Sequence, residues 1–224
     1  MPVFNLLESV GEITRDVSSR LINKEENRVE AMKFGEAYFD GPREQGYGGY
    51  YYDGRWTKIA DKAISRYDLK IGDRVLDIGC AKGFFVNDLV YGKTQVDAYG
   101  VDVSEYAVKN CHPDVIGRLH IGNALKLPFP DNSFDAVFAI NTLHNLDREE
   151  CVRAIREINR VVKRPEAAFV QVDAYRNDEE LALFEAWMLT AKTYCRPEEW
   201  EKLFSEANFK GDYFWTILQF GTTV

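Results

Sequence analysis

The stretch VLDIGCAKGFF, residues 75–85, constrains the fold more than any other part of the chain. Apolar residues typical of a strand end at Ile78, and a helix-like apolar pattern begins at Phe84. The turn between them begins and ends with Gly79 and Gly83, which lack a Cβ and so let the backbone approach a ligand closely. This strand-turn-helix order predicts the first unit of an α/β fold with a ligand at the turn.

Strand and helix signals alternate on both sides of this turn. The predicted strands are residues 74–78, 98–103, 119–122, 134–140 and 167–173. The predicted helices between and before them are residues 58–67, 84–91, 105–110 and 148–162. Helical crossovers imply parallel strands with right-handed connections, so the pattern predicts a Rossmann-like, doubly wound α/β fold with helices on both faces of the sheet.

Two flanking regions extend this core, residues 58–173, into a single predicted domain of residues 1–224. Residues 1–57 predict an N-terminal helix followed by a glycine- and tyrosine-rich lid, residues 41–56. The apolar face of that helix would cover the core, the lid or a second copy in a homodimer, and its residues are Val3, Leu6, Val10, Ile13, Val17 and Leu21. Residues 174–224 predict two helices, at 177–194 and 196–209, and antiparallel edge strands within 210–220.

Composition and charge exclude several classes of partner. The chain has 36 acidic and 28 basic residues, and its net charge of −8 disfavours nucleic acid and anionic membranes.

The four cysteines form no CxxC pair and are expected to be free thiols. With no leader and no apolar stretch of spanning length, we expect a cytoplasmic protein. Asp131, Asn132 and Ser133 follow a proline and precede a strand, which predicts a turn, and we expect no metal.

Polar residues end or follow the predicted strands, and an open parallel sheet binds its ligand at those strand ends. These residues are Asp77, Asp102, Asn123, the stretch 141–144 and the stretch 173–176. Asp102 lies 19 positions after Gly83, at the end of the next strand, where a carboxylate accepts both hydroxyls of a ribose. The pattern therefore predicts a nucleoside-containing cofactor.

Three stretches resemble, in order, the class I S-adenosylmethionine-dependent methyltransferases. They are VLDIGCAKGFF, YGVDVSEYAV and GNALKLPFPDNSFDAVFAINTLHNL, within residues 71–173. The resemblance implies S-adenosylmethionine as cofactor and S-adenosylhomocysteine as product. The lid and the sequence GDYFW near the end are also similar to short bacterial methyltransferases that often accompany surface-polysaccharide genes.

The resemblance also implies which residues contact the cofactor. Those around its methionine part would be Asp77, Gly79, Ala81, Gly83, Asn141 and the backbone of Thr142, and those around its ribose and adenine would be Asp102, Val103, Asn123 and Ala124. Ala81 departs from the commoner middle glycine of this motif, which narrows the backbone conformations allowed there.

The candidate acceptor site combines aromatic, basic and titratable residues. The aromatic walls would be Tyr47, Tyr50, Tyr51, Tyr52 and Trp56, with Tyr50 and Tyr52 next to the chemistry. His144 is a candidate general base, and Arg55 a candidate ligand for a carboxylate or phosphate. Asp173, Tyr175 and Arg176 form a second acceptor group. For each, a structural role stays open. The aromatic rings would pack together, His144 would be a structural histidine of the fold, Arg55 would form a surface ion pair and Asp173 would cap a helix.

We therefore expect methyl transfer to a hydroxyl of a sugar, a nucleotide-sugar or a phosphorylated polysaccharide precursor. The alternatives are an amine nitrogen of a small phosphorylated or zwitterionic molecule and a non-catalytic, cofactor-binding partner protein. A nicotinamide dehydrogenase is disfavoured, because Phe84 stands where the dinucleotide fingerprint requires glycine or alanine.

Overall fold

The computed structural model describes residues 3–10, 14–15 and 17–220. Its α-helices are α1 Ser18–Leu21, α2 Lys24–Ala31, α3 Glu36–Phe39, α4 Trp56–Tyr67, α5 Phe84–Tyr91, α6 Glu105–Lys109, α7 Arg148–Val161, α8 Asp178–Trp187 and α9 Pro197–Glu206. Its strands are β1 Thr14–Arg15, β2 Arg74–Ile78, β3 Asp97–Asp102, β4 Leu119–Ile121, β5 Ala136–Ile140, β6 Ala168–Asp173, β7 Asp212–Thr216 and β8 Gln219–Phe220. The strands and helices predicted for the core lie within one or two residues of these bounds.

Six strands form one parallel sheet in the order β4-β3-β2-β5-β6-β7. The chain builds outward from β2 to β4 and then returns to the other side of β2 with β5. Strand order therefore reverses between β2 and β5, which is where such sheets bind ligands. The predicted doubly wound α/β fold is confirmed.

The core lies on both faces of this sheet because its central strands are mostly apolar and almost completely buried. All five residues of β5 and four of the five in β2 are buried. Helix α7 turns Cys151, Ile155 and Ile158 toward the sheet and begins at a capping box formed by Asp147 and Glu150.

The four cysteines are free thiols. No helix of the described chain is long and apolar enough to cross a membrane.

The antiparallel edge predicted for the C-terminal region is wrong. Strand β7 pairs with β6 in parallel, and β8 pairs in parallel with β1 in a separate two-stranded sheet. The chain between β6 and β7 contains α8 and α9, and a connection of this length carries the chain back to the end of the sheet from which β6 began. The first of these helices is also shorter than predicted: it ends at Trp187 rather than at 194.

The single N-terminal helix predicted from the apolar spacing is also wrong. The described part of this region contains α1 and α2, and a left-handed residue, Asn23, separates the two helices. Leu6 is fully buried in the core, whereas Val3 and Leu21 are more than half exposed, so these residues share no face. Ile13 lies outside the described residues. The segment 41–55 contains no helix or strand, as its glycine content predicts.

A bidentate ion pair joins α4 to the edge strand β7. Arg66 donates from Nε and Nη2 to Asp212 at 2.7 and 2.9 Å, and the carboxylate also accepts the hydroxyl of Tyr67 at 3.1 Å. The Asp212 side chain is 4% exposed, so its charge is compensated almost entirely by these donors.

We expect Arg66→Met to lower the free energy of unfolding by about 2–3 kcal/mol, because it leaves a buried carboxylate without its cation. Lys70→Met is the matched control, since Lys70 and Asp68 form a solvent-exposed pair, and it should cost less than about 0.5 kcal/mol. Urea denaturation of both variants measures the difference. Equal losses would show that the Arg66 pair contributes no more than a surface pair.

Candidate active site

The turn after β2 has the geometry expected of a ligand-binding turn. Gly79 and Gly83 have φ angles of +78° and +76°, in the region that favours glycine. A Cβ on Gly79 would lie 2.0 Å from Oγ1 of Thr142, so glycine is required there by close contact as well. Thr142 in turn donates from Oγ1 to the carbonyl of Ile78 at 3.0 Å. The turn after β2 and the residues after β5 are therefore packed against each other.

Ala81, the residue that departs from the glycine of the motif, adopts φ +49°. This left-handed conformation costs an alanine roughly 1–2 kcal/mol relative to an ordinary one. Its N–H donates to Oδ2 of Asp102 at 2.8 Å, while the N–H of Ser104 donates to Oδ1 at 2.7 Å. The carboxylate thus joins the turn to the end of β3. Each carboxylate oxygen keeps a second acceptor position for the predicted ribose hydroxyls.

Asp77, the last acid of β2, is buried without a hydrogen-bond donor among the described residues. Burial, together with the charge of nearby Asp102, raises the pKa of Asp77 to about 8. A buried carboxyl with no cation is the group that an ammonium ligand would stabilise as a carboxylate. This observation fits the methionine ammonium of the predicted cofactor.

The remaining predicted cofactor residues follow β3, β4 and β5. Asn141 follows β5 in a left-handed conformation, φ +53°, and lines a cavity. Val103 is 57% exposed, so its side chain is open to a ligand such as an adenine. Asn123 accepts the N–H of Leu125, which shapes the loop after β4, and Ala124 is half-buried there. The residues present therefore fit S-adenosylmethionine.

The N-terminal segment covers the turn after β2. Lys82 of the turn forms an ion pair with Asp40 at 2.6 Å, and the hydroxyl of Tyr106 donates to the same carboxylate at 2.7 Å. Phe39 packs on Ala81, beside α6. These contacts hold the start of the predicted lid over the candidate cofactor site.

A cavity of about 770 Å³ opens between this lid and the ends of β5 and β6. Its size is within the range of small-molecule sites. The predicted residues that line it are Tyr47, Tyr50, Tyr51, Arg55, Trp56, Asn141, His144 and Asp173. One cavity therefore unites a residue of the cofactor set with most of the acceptor set.

Three predicted acceptor residues do not line this cavity. The hydroxyl of Tyr52 donates to Asp88 at 2.6 Å and ties the lid to α5. Arg176 is paired with Glu180 on α8, and Tyr175 packs beneath the guanidinium of Arg196. Their contacts are those of structural residues.

Tyr50 and Arg55 both line the cavity, but their side chains have different packing and partners. Tyr50 stacks on Phe84 with ring centroids 4.8 Å apart, and burial raises the pKa of its hydroxyl. It is therefore a hydrogen-bond donor rather than a base at neutral pH. Arg55 is already paired with Asp53, two residues earlier, and its side chain is more than half exposed.

His144 and Asp173, which the sequence placed in separate groups, are neighbours. His144 lies in a 3-10 turn, Leu143–Asn145, and is buried. Its Nδ1 accepts the backbone N–H of Asp173 at 3.2 Å and lies 3.4 Å from Oδ2 of the same residue. The backbone N–H and the carboxylate of Asp173 therefore both lie next to the same nitrogen of the imidazole.

Sequence reasoning missed a basic and aromatic group in the same cavity. Arg20, Arg43 and Trp187 line it, together with the chain just after α8, residues 188–191. The three residues come from the N-terminal region, the lid and α8, so no local motif joins them. The early end of α8, which leaves residues 188–191 to line the cavity, is itself a feature that the sequence did not predict.

Comparison with known proteins agrees with this geometry. Residues 76–170 match a family model described as a methyltransferase domain. The match runs from β2 to β6 and includes the turn, Asp102 and the residues after β5. This stretch is a methyltransferase domain. The predicted resemblance to class I methyltransferases is confirmed for it, and the match supports S-adenosylmethionine as its cofactor.

Individual curated relatives match about half of this chain. The chain is 32% identical over 112 residues to 27-O-demethylrifamycin SV methyltransferase from Amycolatopsis mediterranei, covering 46% of this chain and 41% of that protein. It is 31% identical over 130 residues to demethylmenaquinone methyltransferase from Symbiobacterium thermophilum, covering 54% and 50%. The chain thus spans about half the length of these curated relatives.

A solved structure shows the same fold. The YcgJ protein from Bacillus subtilis superposes with a TM-score of 0.55 at 23% identity, over 66% of each chain.

Among residues 3–10, 14–15 and 17–220, no three His, Cys, Asp or Glu side chains form a group that could hold a metal ion. Asp131 of the predicted turn instead pairs with Arg160.

The raised pKa of Asp77 predicts a pH dependence of stability for the protein without cofactor. In the folded chain Asp77 keeps its proton up to about pH 8, whereas in the unfolded chain it ionises near pH 4. Between these values the folded state binds more protons, so stability falls as the pH rises, by at most about 1.4 kcal/mol per pH unit.

Asp77→Asn removes this contribution, and its stability relative to the parent should rise steadily from pH 5 to pH 8. Urea denaturation of both proteins across this range measures the difference, and other groups cancel in the comparison. Parallel stability curves would contradict a protonated Asp77.

Proposed function

We propose that this chain transfers a methyl group from S-adenosylmethionine to a hydroxyl of a small polar acceptor. The acceptor class we favour is a sugar, a nucleotide-sugar or a phosphorylated precursor of a surface polysaccharide. The observation that carries the proposal is the single cavity lined by Asn141, from the cofactor set, and by His144, Asp173 and the lid tyrosines. A donor and an acceptor bound at these residues would share one space.

The residues of the chain have separable tasks in this reaction. The bound cofactor supplies a methyl group activated by a positively charged sulfur. The turn after β2, Asp77 and Asp102 would hold it in one orientation, and such alignment lowers a barrier by up to about 7–11 kcal/mol in favourable cases. The lid, latched by Asp40 and Lys82, covers the turn and would exclude water.

An alcohol must lose its proton as it attacks, and His144 is the candidate to accept it. With Nδ1 accepting a backbone N–H, the neutral imidazole carries its proton on Nε2 and is a donor. A basic Nε2 requires the proton on Nδ1, where the carboxylate of Asp173 at 3.4 Å would accept it. We therefore propose that Asp173 orients His144 and stabilises the positive charge of its imidazole after proton transfer. In this proposal Asp173 does not bind the acceptor.

Two other functions follow from the same site and are distinguishable from this one. An amine acceptor is a nucleophile when neutral and requires no base, so its methylation would not depend on His144. A non-catalytic partner protein would bind the cofactor without turning it over.

We expect methyl-labelled S-adenosylmethionine to label a hydroxyl compound in a panel of sugars, sugar phosphates, nucleotide-sugars and small amines. His144→Ala should then lower kcat by about 10²- to 10⁴-fold with a smaller change in KM, because a general base acts in the transition state. His120→Ala is the matched control: His120 packs against Tyr99 and Phe129, does not line the cavity and should leave kcat unchanged.

Unchanged turnover of an alcohol by His144→Ala would remove this residue from the chemistry. Labelling confined to amines would favour the nitrogen acceptor. Calorimetric binding of S-adenosylhomocysteine without labelling of any compound would favour the partner protein. No binding at all, together with an Asp102→Ala variant that behaves like the parent, would reject the cofactor itself.

A further inference from the structure

The cavity is locally basic although the chain as a whole is acidic. Three arginines line it, Arg20, Arg43 and Arg55, against two aspartates, Asp53 and Asp173. Asp53 is paired with Arg55, and Asp173 lies beside His144. Each of these two aspartates therefore interacts with another residue of the cavity. Arg43, from the lid, is an additional cation in the same cavity.

Arg43 has no acidic partner among the described residues. Of its nitrogens, only Nη1 donates to a residue that the structure describes, to the carbonyls of Gly46 at 3.0 Å and Tyr47 at 2.9 Å. Burial lowers the pKa of its guanidinium, and the neighbouring groups that offset this effect are the hydroxyls of Tyr47 and Tyr38 rather than carboxylates. A half-buried cation in this setting is stabilised by any anion that reaches it.

The guanidinium of Arg43 is also held in position. Its Cζ lies 4.8 Å from the ring centre of Trp187, and the Cζ of Arg20 lies 4.3 Å from the same ring. Arg20 is buried and donates to the carbonyl of Gly46 at 2.6 Å, which Arg43 also contacts. Stacking uses the face of a guanidinium and leaves its in-plane N–H groups for hydrogen bonds. Nε and Nη2 of Arg43 donate to no described residue and are therefore available as a two-donor edge.

We infer that Arg43, stacked on Trp187, binds an oxyanion of the acceptor, a phosphate monoester or a carboxylate. Two parallel N–H donors match the two oxygens of such a group, and these pairs are among the strongest hydrogen bonds in proteins. The inference rests on the proposed function, because it assigns the cavity to the acceptor. Within that function it selects a sugar phosphate or a sugar acid over a neutral sugar.

The test is equilibrium binding in the presence of saturating S-adenosylhomocysteine, which occupies the cofactor side and supplies its own carboxylate there. The probes are glucose 6-phosphate, glucuronate and neutral glucose, titrated by calorimetry. We expect the parent to bind at least one of the two anions more tightly than glucose. Arg43→Gln should weaken that anion about 10- to 100-fold, and Arg43→Lys by less, because it keeps the charge but loses the fork.

Arg118→Gln is the matched control. Arg118 also stacks on an aromatic ring, Tyr99, and its removal changes the net charge equally, but it does not line the cavity. It should leave anion affinity unchanged. The affinity of each variant for S-adenosylhomocysteine reports whether the fold and the cofactor site are intact.

Three results would overturn the inference. They are equal binding of glucose and both anions by the parent, equal anion affinity in Arg43→Gln and the parent, and a loss in Arg43→Gln that appears for S-adenosylhomocysteine instead of the anions. Anion binding that depends on Arg43 without methyl transfer to any compound would keep the oxyanion site and reject the proposed reaction.

Discussion

The carboxylate of Asp102 is the interaction on which the candidate site depends. It accepts one backbone N–H from the turn after β2 and one from the residue that begins the crossover after β3. The first bond holds Ala81 in a left-handed conformation that an alanine otherwise avoids. Two neighbouring strand ends are thereby connected by one side chain. Asp77 is buried nearby as a protonated carboxyl, and a cationic ligand would stabilise its ionised form.

The candidate acceptor side of the cavity is formed mainly by segments outside the sheet. Few of its side chains come from the sheet, and most come from the lid and from the chain after α8. Two of the attachments of the lid are the pair of Lys82, on the cofactor turn, with Asp40, the residue before the lid, and the hydrogen bond of Tyr52 to Asp88 on α5. Between these points the glycine-rich backbone carries its tyrosines over the cavity. A fold shared by many methyltransferases can thus receive its own acceptor through segments outside the common core.

Prediction from the sequence succeeded where local pattern and tertiary role coincide. The core strands alternate with amphipathic helices, and each was located within one or two residues because burial on both sides leaves little choice of register. The N-terminal helix failed for the opposite reason: Leu6 is buried and Leu21 exposed despite their helical spacing. The edge strand failed because pairing direction depends on the path of α8 and α9, which local propensity does not contain.

The sequence by itself determined the doubly wound sheet, the turn after β2 and the acids at the ends of β2 and β3, because these depend on short-range periodicity and on glycine at positions with positive φ. Only the tertiary structure decided which side chains share the cavity. It placed Asp173 against His144, turned Tyr175 and Arg176 away, and brought Arg43 onto Trp187. Those contacts join segments that are far apart in the chain. They arise from tertiary packing, which produces no regular residue spacing in the sequence from which they could be predicted.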